Sequence, residues 1–387
     1  MSRPDVALIT PYPPIGQRHA GHSGVTSYAG NLAHALAAEG AKVTVVAPEE
    51  PGEPAAADDG PVRVERRFRS GSAAALPAAA RAARHTGAPV VHLQHELFLY
   101  GGPSSIPGLM AALAGPRRNG TAQVVTMHQV VESGTVDRSF TKLHRVKAPA
   151  VLARAGLATV QQAIRRLSSR VIVHEPSFAE MVGNAVVVPH GVEAAAPDDR
   201  ETARAELGLD DRLTVLCFGF LAPYKGLEAA LDAAELAGDR VHVVIAGGEH
   251  PRLAAAGDSY ADELRNRYGA TATFTGRVPE EQVGTWFSAA DIALFPYPRP
   301  FSSSGSLALA LAHRTPFLVS PQLAQTIGAP EGITVRLLPT ALARRLNELA
   351  AAPDQLNELR RQCAGFGSGR SWPDVARRHL ELYEEVR

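Results

Sequence analysis

The sequence has little of what defines several large classes of protein. Its 387 residues contain two cysteines, Cys217 and Cys363, which cannot build a disulfide framework and lack the spacing of a metal-binding motif. Basic and acidic residues number 39 each, so no net charge favours nucleic acid. No apolar run approaches the roughly 20 residues of a membrane-spanning helix. A disulfide-rich, a nucleic-acid-binding and a membrane-spanning protein are therefore disfavoured.

The length of the chain favours two domains, because a single ordinary hydrophobic core rarely grows to 387 residues. Composition shifts to alanine, proline and aspartate over residues 194–199, which we interpret as a hinge. We therefore predict an N-terminal domain at 1–193 and a C-terminal domain at 199–370. The first apolar run, residues 6–10, follows neither the basic start nor the apolar core of a signal peptide. A cytoplasmic enzyme or binding protein is the expectation.

Apolar runs of strand length alternate with helix-like patterns along the chain. Strands are predicted at 6–10, 42–47, 62–65, 89–94, 122–127, 171–175, 185–188, 213–218, 241–246, 271–275, 292–295 and 317–320. Helices are predicted at 25–36, 73–84, 103–114, 138–170, 200–207, 260–268, 280–289, 307–312, 342–349, 356–363 and 371–383, and a surface loop at 49–60. The alternation predicts an α/β fold built on parallel sheets.

The most informative stretch is 291–320, in which a predicted strand, a proline-broken turn, a serine cluster at 302–306, a helix and another strand follow one another. Ligands of parallel sheets bind where a strand passes to a helix, and the free N–H groups of a helix start attract phosphate. We hypothesise that this loop holds the diphosphate of a nucleotide sugar. Simple capping of the helix by serine is the alternative.

Two further loops have the composition of anion sites. Lys225 follows the strand at 213–218 and lies between Gly219 and Gly226, where its ammonium can neutralise a diphosphate; an exposed surface lysine is the alternative. The loop at 16–24 is rich in glycine and precedes a helix, which suggests a phosphate or sugar site. Its glycines lack the Gly-x-Gly-x-x-Gly order, so no nicotinamide cofactor is inferred.

Histidines follow two successive predicted strands. His95 and Glu96 come at the end of one strand and His128 at the end of the next. Because this edge of a parallel sheet binds ligands, we expect the histidines to line a cleft; a histidine hydrogen-bonded within the protein is the alternative. The stretch 138–170 is basic, which indicates either a solvated face or contact with a membrane surface or a phosphorylated acceptor.

The order of these fragments resembles the GT-B glycosyltransferases, and within them the retaining glycosyltransferase family 4. The segments that carry the resemblance are Gly21-His-Ser-Gly24, Val125-Thr-Met-His128, Val188-Pro-His-Gly-Val192, Pro223-Tyr-Lys-Gly226, Gly276-Arg-Val278, 291–296, Ser303-Ser-Gly305, Thr315-Pro316 and the last helix. The segment His92-Leu-Gln-His-Glu96 resembles a subgroup with Gln-His-Glu at that place.

The resemblance implies two Rossmann-like domains that face each other across a cleft, with the last helix, 371–387, crossing back to the N-terminal domain. A nucleoside-diphosphate sugar, GDP- or UDP-linked, would bind the C-terminal domain as donor. The N-terminal domain would hold a hydroxyl acceptor that is a small molecule, a glycan or lipid-linked. Donor contacts are implied for Lys225, Gly219, Ser303, Ser304, Gly305, Gly24, Gly276, Arg277 and Val278. Catalytic roles are implied for His128, Glu96 and His95, and acceptor contacts for His22, Ser23 and His190.

Such enzymes resemble front-face retaining catalysts, in which the leaving phosphate helps to accept the proton of the acceptor. That chemistry needs stabilisation of the departing diphosphate more than a protein nucleophile, so neither a metal nor a further cofactor is implied. Two glutamates that many members carry are replaced here by Phe301 and Leu309, which leaves ribose binding unassigned, and the usual arginine before the lysine is absent from 220–224. A non-catalytic nucleotide-sugar binder and a phosphorylase or epimerase on the same scaffold are the alternatives.

Overall fold

The computed structural model describes residues 5–17, 24–102, 105–115, 120–138, 141, 146–193, 195–196, 198–249, 254, 257–298 and 304–387. These residues form two compact units. Unit 1 contains 5–191 and 369–387, and unit 2 contains 192–298 and 304–368, within the described ranges.

Unit 1 is built on an eight-stranded sheet in the order β3-β4-β2-β1-β5-β6-β7-β8. All neighbours are parallel except β3 and β4, which are antiparallel. The strands are β1 (Val6–Ile9), β2 (Val43–Pro48), β3 (Ala56–Asp59), β4 (Val62–Phe68), β5 (Val90–His95), β6 (Ala122–Met127), β7 (Arg170–Val173) and β8 (Ala185–Val187). The near-continuous burial of β1, β5 and β6 is typical of parallel strands covered on both faces.

The helices of unit 1 cover both faces of this sheet. They are α1 (Gly24–Ala38), α2 (Ala75–His85), α3 (Ile106–Ala114), α4 (Ala150–Leu167), α5 (Pro176–Val182) and the C-terminal helix (Trp372–Val386), with a 3₁₀ turn at Ser133–Thr135. Alternate residues of β1 enter two separate apolar clusters: Ala7 packs with α2 and α3, and Leu8 with α1 and the C-terminal helix. The C-terminal helix begins as predicted, since the Ser371 hydroxyl accepts a hydrogen bond from the backbone N–H of Asp374.

The loop predicted at 49–60 is wrong in its second half, because residues 56–59 form β3. The sequence Ala-Ala-Asp-Asp has little strand propensity, and pairing with β4 overrides it. Asp59 is buried and accepts a hydrogen bond from the Tyr12 hydroxyl at 2.9 Å, while a ring nitrogen of His34 lies 2.9 Å from the same carboxylate. These bonds lower the pKa of Asp59 against the effect of burial, and they hold the loop after β1.

The helical stretch predicted at 138–170 is interrupted, because residues 138 and 141 are helical but α4 begins only at Ala150. Pro149 precedes it in an extended conformation, and proline disfavours helical geometry in the residue before it. Residues 146–149 are accordingly not helical. The short helices that begin at Pro176 and Pro321 were not predicted, because each spans only seven residues and shows no full apolar period.

Unit 2 is built on a five-stranded parallel sheet in the order β11-β10-β9-β12-β13. Its strands are β9 (Leu213–Phe218), β10 (Val241–Ala246), β11 (Ala272–Gly276), β12 (Ile292–Phe295) and β13 (Phe317–Val319). Its helices are α6 (Arg200–Glu206), α7 (Leu227–Ala237), α8 (Tyr260–Tyr268), α9 (Val283–Ala289), α10 (Gly305–Ala312), α11 (Pro321–Ile327), α12 (Pro339–Ala351) and α13 (Pro353–Gly367). Four 3₁₀ turns lie at Pro223–Lys225, Gly238–Arg240, Glu280–Gln282 and Glu331–Ile333.

Asp291 fixes the entry of β12 into this sheet. Its buried carboxylate accepts hydrogen bonds from the backbone N–H of Thr214 at 2.9 Å and from the guanidinium of Arg204 at 3.2 Å. Asp291 therefore ties α6 and β9 to the strand whose far end leads into the serine loop.

Candidate functional site

The first candidate site lies in unit 2, at the carboxyl end of β9. Lys225 is in the 3₁₀ turn before α7 and is 5% exposed, so it is not a surface lysine. Its Nζ donates a hydrogen bond to the carbonyl oxygen of Phe218 at 2.9 Å and lies 5.6 Å from the centre of the Tyr297 ring. Burial lowers the pKa of this ammonium. The fold thus places a buried cation at the edge of the sheet where ligands bind.

The start of α10 lies beside this ammonium. The Ser306 hydroxyl donates to the same Phe218 carbonyl at 3.0 Å. Ser304 accepts a hydrogen bond from the backbone N–H of Leu307 at 3.2 Å and thereby caps α10. Capping is the alternative to diphosphate binding that we gave for this serine cluster. Capping by Ser304 leaves the other N–H groups at the start of α10, including that of Gly305, as donors for an anion.

Glycines make this corner compact. Gly219 has a φ of +107°, and a side-chain carbon there would lie 2.5 Å from Nζ of Lys225. At Gly247 such a carbon would lie 2.1 Å from the carbonyl oxygen of Gly219, and at Gly248 it would lie 3.4 Å from Cβ of Arg277. The ends of β9, β10 and β11 therefore approach one another, and the predicted residues Gly219, Gly276 and Arg277 lie along one edge. Val278 packs partly buried against the core of unit 2.

The second candidate site lies in unit 1, at the carboxyl ends of β5 to β8. His128 follows β6 and is 9% exposed. Its Nε2 lies 2.7 Å from Oε1 of Gln94 on β5, and its Nδ1 lies 3.1 Å from Nε2 of His174. His174 in turn donates from Nδ1 to the carbonyl of Val188 at 2.9 Å. Both ring nitrogens of His128 therefore have partners within the protein. This agrees with the alternative given above, a histidine that is hydrogen-bonded within the protein.

Aromatic rings enclose these histidines. The Tyr28 ring of α1 lies 4.6 Å from the His128 ring, 5.0 Å from the His174 ring and 5.1 Å from the His190 ring, measured between centroids. Trp372, the first residue of the C-terminal helix, lies 5.2 Å from Tyr28. Burial lowers the pKa of His128 and of His190 and lowers that of His174 to about 3, so all three are neutral near pH 7.

Other predicted residues of unit 1 lie at the end of β5 and at the start of α1. His95 ends β5 and is buried, and its Nδ1 has no hydrogen-bond partner within the described part of the chain. Burial lowers the pKa of His95 to about 4. Glu96 is half-buried, and Gly24 is the exposed first residue of α1. His22, Ser23 and Ser303 lie outside the described residues, as does Phe301.

Sequence reasoning assigned no role to four side chains of these two sites: Gln94, His174, Tyr28 and Tyr297. One signal was available for Gln94, because polar residues alternate in His92-Leu-Gln within a strand that is otherwise apolar. Polar residues with a period of two share one face of a strand, and both are fully buried here, so they need partners. The ring of Tyr28, by contrast, shares a face with ordinary core residues of α1.

Comparison with solved structures identifies the fold. Sucrose-phosphate synthase from Thermosynechococcus elongatus is similar with a TM-score of 0.72 over 99% of each chain, at 21% sequence identity. The Anabaena protein HepE, solved in complex with UDP-glucose, is similar with a TM-score of 0.66 over 99% of this chain and 100% of that one, at 14% identity. The predicted GT-B fold, with two α/β units on parallel sheets, is confirmed.

Two family profiles then match complementary parts of the chain. Residues 22–196 match "Glycosyltransferase Family 4" and residues 212–352 match "Glycosyl transferases group 1". The chain belongs to glycosyltransferase family 4, as the order of its motifs predicted. D-inositol 3-phosphate glycosyltransferase from Mycolicibacterium gilvum is 33% identical over 180 residues, which are 44% of this chain and 40% of that protein. The alignment thus spans less than half of that relative's length.

Two kinds of feature are absent from the described ranges. No helix in those ranges has the length and apolarity needed to cross a bilayer. No group of three or more His, Cys, Asp or Glu side chains there is placed to hold a metal ion.

Proposed function

We propose that this chain is a retaining glycosyltransferase that moves a hexose of the mannose or glucose type from a nucleoside-diphosphate sugar to a hydroxyl acceptor. The observation that carries the proposal is the buried ammonium of Lys225 beside the start of α10. A buried cation is costly unless it is paired, and an anion bound there would complete its pairing. The helix N-terminus favours the same negative charge, and family membership supports a diphosphate as its source.

The donor side stabilises the leaving group in this proposal. Lys225 and the N–H groups at the start of α10 would hold the negative charge that grows on the departing diphosphate. The acceptor hydroxyl gives its proton to the leaving phosphate oxygen as the new glycosidic bond forms on the same face of the sugar. The anomeric configuration is thereby retained without a protein nucleophile. Gly276, Arg277 and Val278 are proposed to lie near the base.

Unit 1 is proposed to bind the acceptor through His95, Glu96, His128 and His190, together with His22 and Ser23. His95 is proposed to have the most direct role, because its buried Nδ1 has no hydrogen-bond partner within the described residues and so lacks one that a ligand could supply. His128, with both ring nitrogens engaged, would contribute through the order it imposes on its neighbours or by exchanging one of those bonds. His128→Ala is expected to lower kcat and leave the donor Kd unchanged.

The relatives suggest which substrates to test first. HepE was solved with UDP-glucose, so a UDP-linked donor is our first choice and a GDP-linked donor the second. The relative from M. gilvum is named for D-inositol 3-phosphate, so phosphorylated polyols belong among the acceptors tested. Lipid-linked acceptors belong there as well, because Val151 and Leu152 are exposed at the start of α4 beside Lys147. Peripheral contact of a cytoplasmic enzyme with a membrane is part of this proposal.

The binding experiment is isothermal titration calorimetry with UDP and GDP against the wild type, Lys225→Ala and Lys42→Ala. Loss of a charge-assisted hydrogen bond of about 1.5–3 kcal/mol raises Kd by roughly 10- to 100-fold in Lys225→Ala. Lys42 is an exposed lysine of unit 1, so its variant should bind as the wild type does. Equal affinity in all three proteins would remove Lys225 from the donor site.

The reaction experiment separates the enzyme classes that share this scaffold. Each donor is incubated alone, with phosphate, and with a panel of hydroxyl acceptors, and products are resolved by mass spectrometry. An acceptor-dependent glycoside with retained configuration supports the proposal. A sugar phosphate formed only with phosphate would indicate a phosphorylase, and an isomerised nucleotide sugar without acceptor an epimerase. Tight binding with no product under any condition would indicate a non-catalytic binder.

A further inference from the structure

A buried row of polar side chains continues from His128 to the C-terminal helix. Gln94 and His92 are both fully buried on β5. Nε2 of Gln94 lies 3.2 Å from Nε2 of His92, which lies 2.7 Å from the hydroxyl of Thr126 on β6. Nδ1 of His92 lies 2.6 Å from the hydroxyl of Tyr383. Together with His174, these residues form what we call the histidine row, which runs from the Val188 carbonyl to Tyr383.

The hydrogen bonds at one end of the row limit how many protons its two histidines can carry. Three hydrogen bonds join the Val188 carbonyl, His174, His128 and Oε1 of Gln94. Both terminal oxygens can only accept, so these bonds need three N–H donors. Two neutral imidazoles supply two. With Oε1 of Gln94 facing His128, the row therefore suits a His128–His174 pair that holds one extra proton and a charge of +1.

Turning the amide removes that need. With the Gln94 amide rotated by 180°, its N–H group donates to Nε2 of His128, and two neutral imidazoles satisfy every bond between Gln94 and Val188. We propose that Gln94 is a positioning residue whose amide turns between these two orientations as the His128–His174 pair gains or loses one proton. Because an amide can present either an acceptor or a donor, rotation of the Gln94 amide is sufficient to satisfy the row at that point.

The same rotation sets the tautomer of His92. With Oε1 of Gln94 facing His128, the Gln94 N–H group faces Nε2 of His92, so His92 carries its proton on Nδ1 and donates to Tyr383. In the turned orientation the Gln94 carbonyl faces Nε2, so His92 carries its proton there and Nδ1 accepts from the Tyr383 hydroxyl. His92 keeps one proton in both states, while the His128–His174 pair changes by one. The tautomer of His92 therefore reports the protonation state of the His128–His174 pair.

The surroundings favour the neutral pair at pH 7. Among the described residues, the titratable and charged groups that act on the pair are Tyr28 of α1, His92 and His95 of β5, His190 after β8, and Arg370 and His379 before and along the C-terminal helix. Burial lowers the pKa of both members of the pair, and the neighbouring imidazoles and Arg370 act in the same direction. We therefore expect the turned amide in the resting protein.

The deciding measurement is side-chain ¹H–¹⁵N NMR of the histidines in the full chain. At pH 7.5 the wild type should show neutral His128 and His174, each protonated at Nδ1, and His92 protonated at Nε2. Gln94→Glu places a carboxylate beside His128, and an opposite charge within about 4–6 Å favours the charged imidazole. This variant should therefore show an imidazolium in the pair at pH 7.5. A neutral pair found together with His92 protonated at Nδ1 in the wild type would overturn the proposal.

The second measurement asks whether the row serves the reaction, and this part rests on the proposed function. Gln94→Met should lower kcat with the donor KM unchanged and shift the pH profile of kcat. Gln123→Met is the matched control, because Gln123 is a buried glutamine of β6 outside the row; it should change neither quantity. Equal losses of kcat in both variants would mean that replacing any buried glutamine lowers kcat, and would contradict a specific role of Gln94. The tautomers are measured without turnover, so they decide the proposal even if the chain transfers no sugar or Gln94→Glu does not fold.

Discussion

Replacing Gly219 by alanine tests the donor corner without removing any charge from it. The new Cβ would lie 2.5 Å from Nζ of Lys225 and 2.9 Å from the Ser306 hydroxyl. Since ordinary non-bonded contacts are about 3.5–4.0 Å, the ammonium must retreat by roughly 1 Å. That displacement breaks its 2.9 Å bond to Phe218 and misplaces it for a phosphate. With about 1.5–3 kcal/mol for a charged hydrogen bond, we expect the Kd for UDP to rise about 10- to 100-fold.

The same substitution also strains the backbone, and this effect must be separated from the displacement. Gly219 has a φ of +107°, and an L-residue in the left-handed region costs about 1–2 kcal/mol. Gly208→Ala provides the control, because Gly208 also lies in unit 2 at a positive φ of +64° but would meet no atom within 4 Å. Both variants should lower Tm, whereas only Gly219→Ala should weaken UDP in calorimetry. Unchanged UDP affinity in folded Gly219→Ala would refute the assignment of Lys225 to the donor.

Three further predictions concern stability. Asp291→Ala leaves the buried guanidinium of Arg204 without its carboxylate and should destabilise unit 2 by about 3–5 kcal/mol in urea unfolding; a loss under about 1 kcal/mol would contradict the anchoring role. Arg314→Gly should stabilise the chain by roughly 0.5–1 kcal/mol, because exposed Arg314 holds a φ of +56° just after α10, and an unchanged Tm would show the strain to be negligible. Acid should also destabilise the fold: the pKa values of His95 and His174, about 4 and about 3, lie below their value of about 6.5 in the unfolded chain. The unfolded state therefore binds more protons, and stability should fall by up to about 1.4 kcal/mol per pH unit for each histidine as the pH drops below about 6.5, as urea titrations would show.

The parallel strands were predictable because burial on both faces leaves a continuous apolar run. β6, β9, β10 and β12 lie at the predicted residues. β3 was not predictable, because Ala56 to Asp59 carry no strand signal and depend on β4 and on the partners of Asp59. Local patterns determine an element when its own residues supply the driving force, and they fail when a neighbour supplies it.

The candidate sites divide in a similar way. Gly219, Lys225 and Ser304 could be named as candidates because turn chemistry and helix starts leave local signatures. Tyr297 and Ser306 approach Gly219 and Lys225 from a segment about 70 to 90 residues later, and only the folded sheet brings these residues together. The burial of His128 could not be foreseen, because its partners lie 34 residues before it and 46 residues after it.

The position of the C-terminal helix has a consequence for the order of folding during synthesis. Trp372, Leu380 and Tyr383 complete the apolar cluster that contains Leu8 and Tyr28, so unit 1, most of which is made before unit 2, lacks one wall of its core until residues 372–383 are made. The apolar core of unit 2 draws all its described residues from between Leu207 and Phe366, so this unit can close before the C-terminal helix is made. A nascent chain halted before residue 372 would expose the aromatic and aliphatic surface of α1 and β1, which makes it a natural target for chaperones.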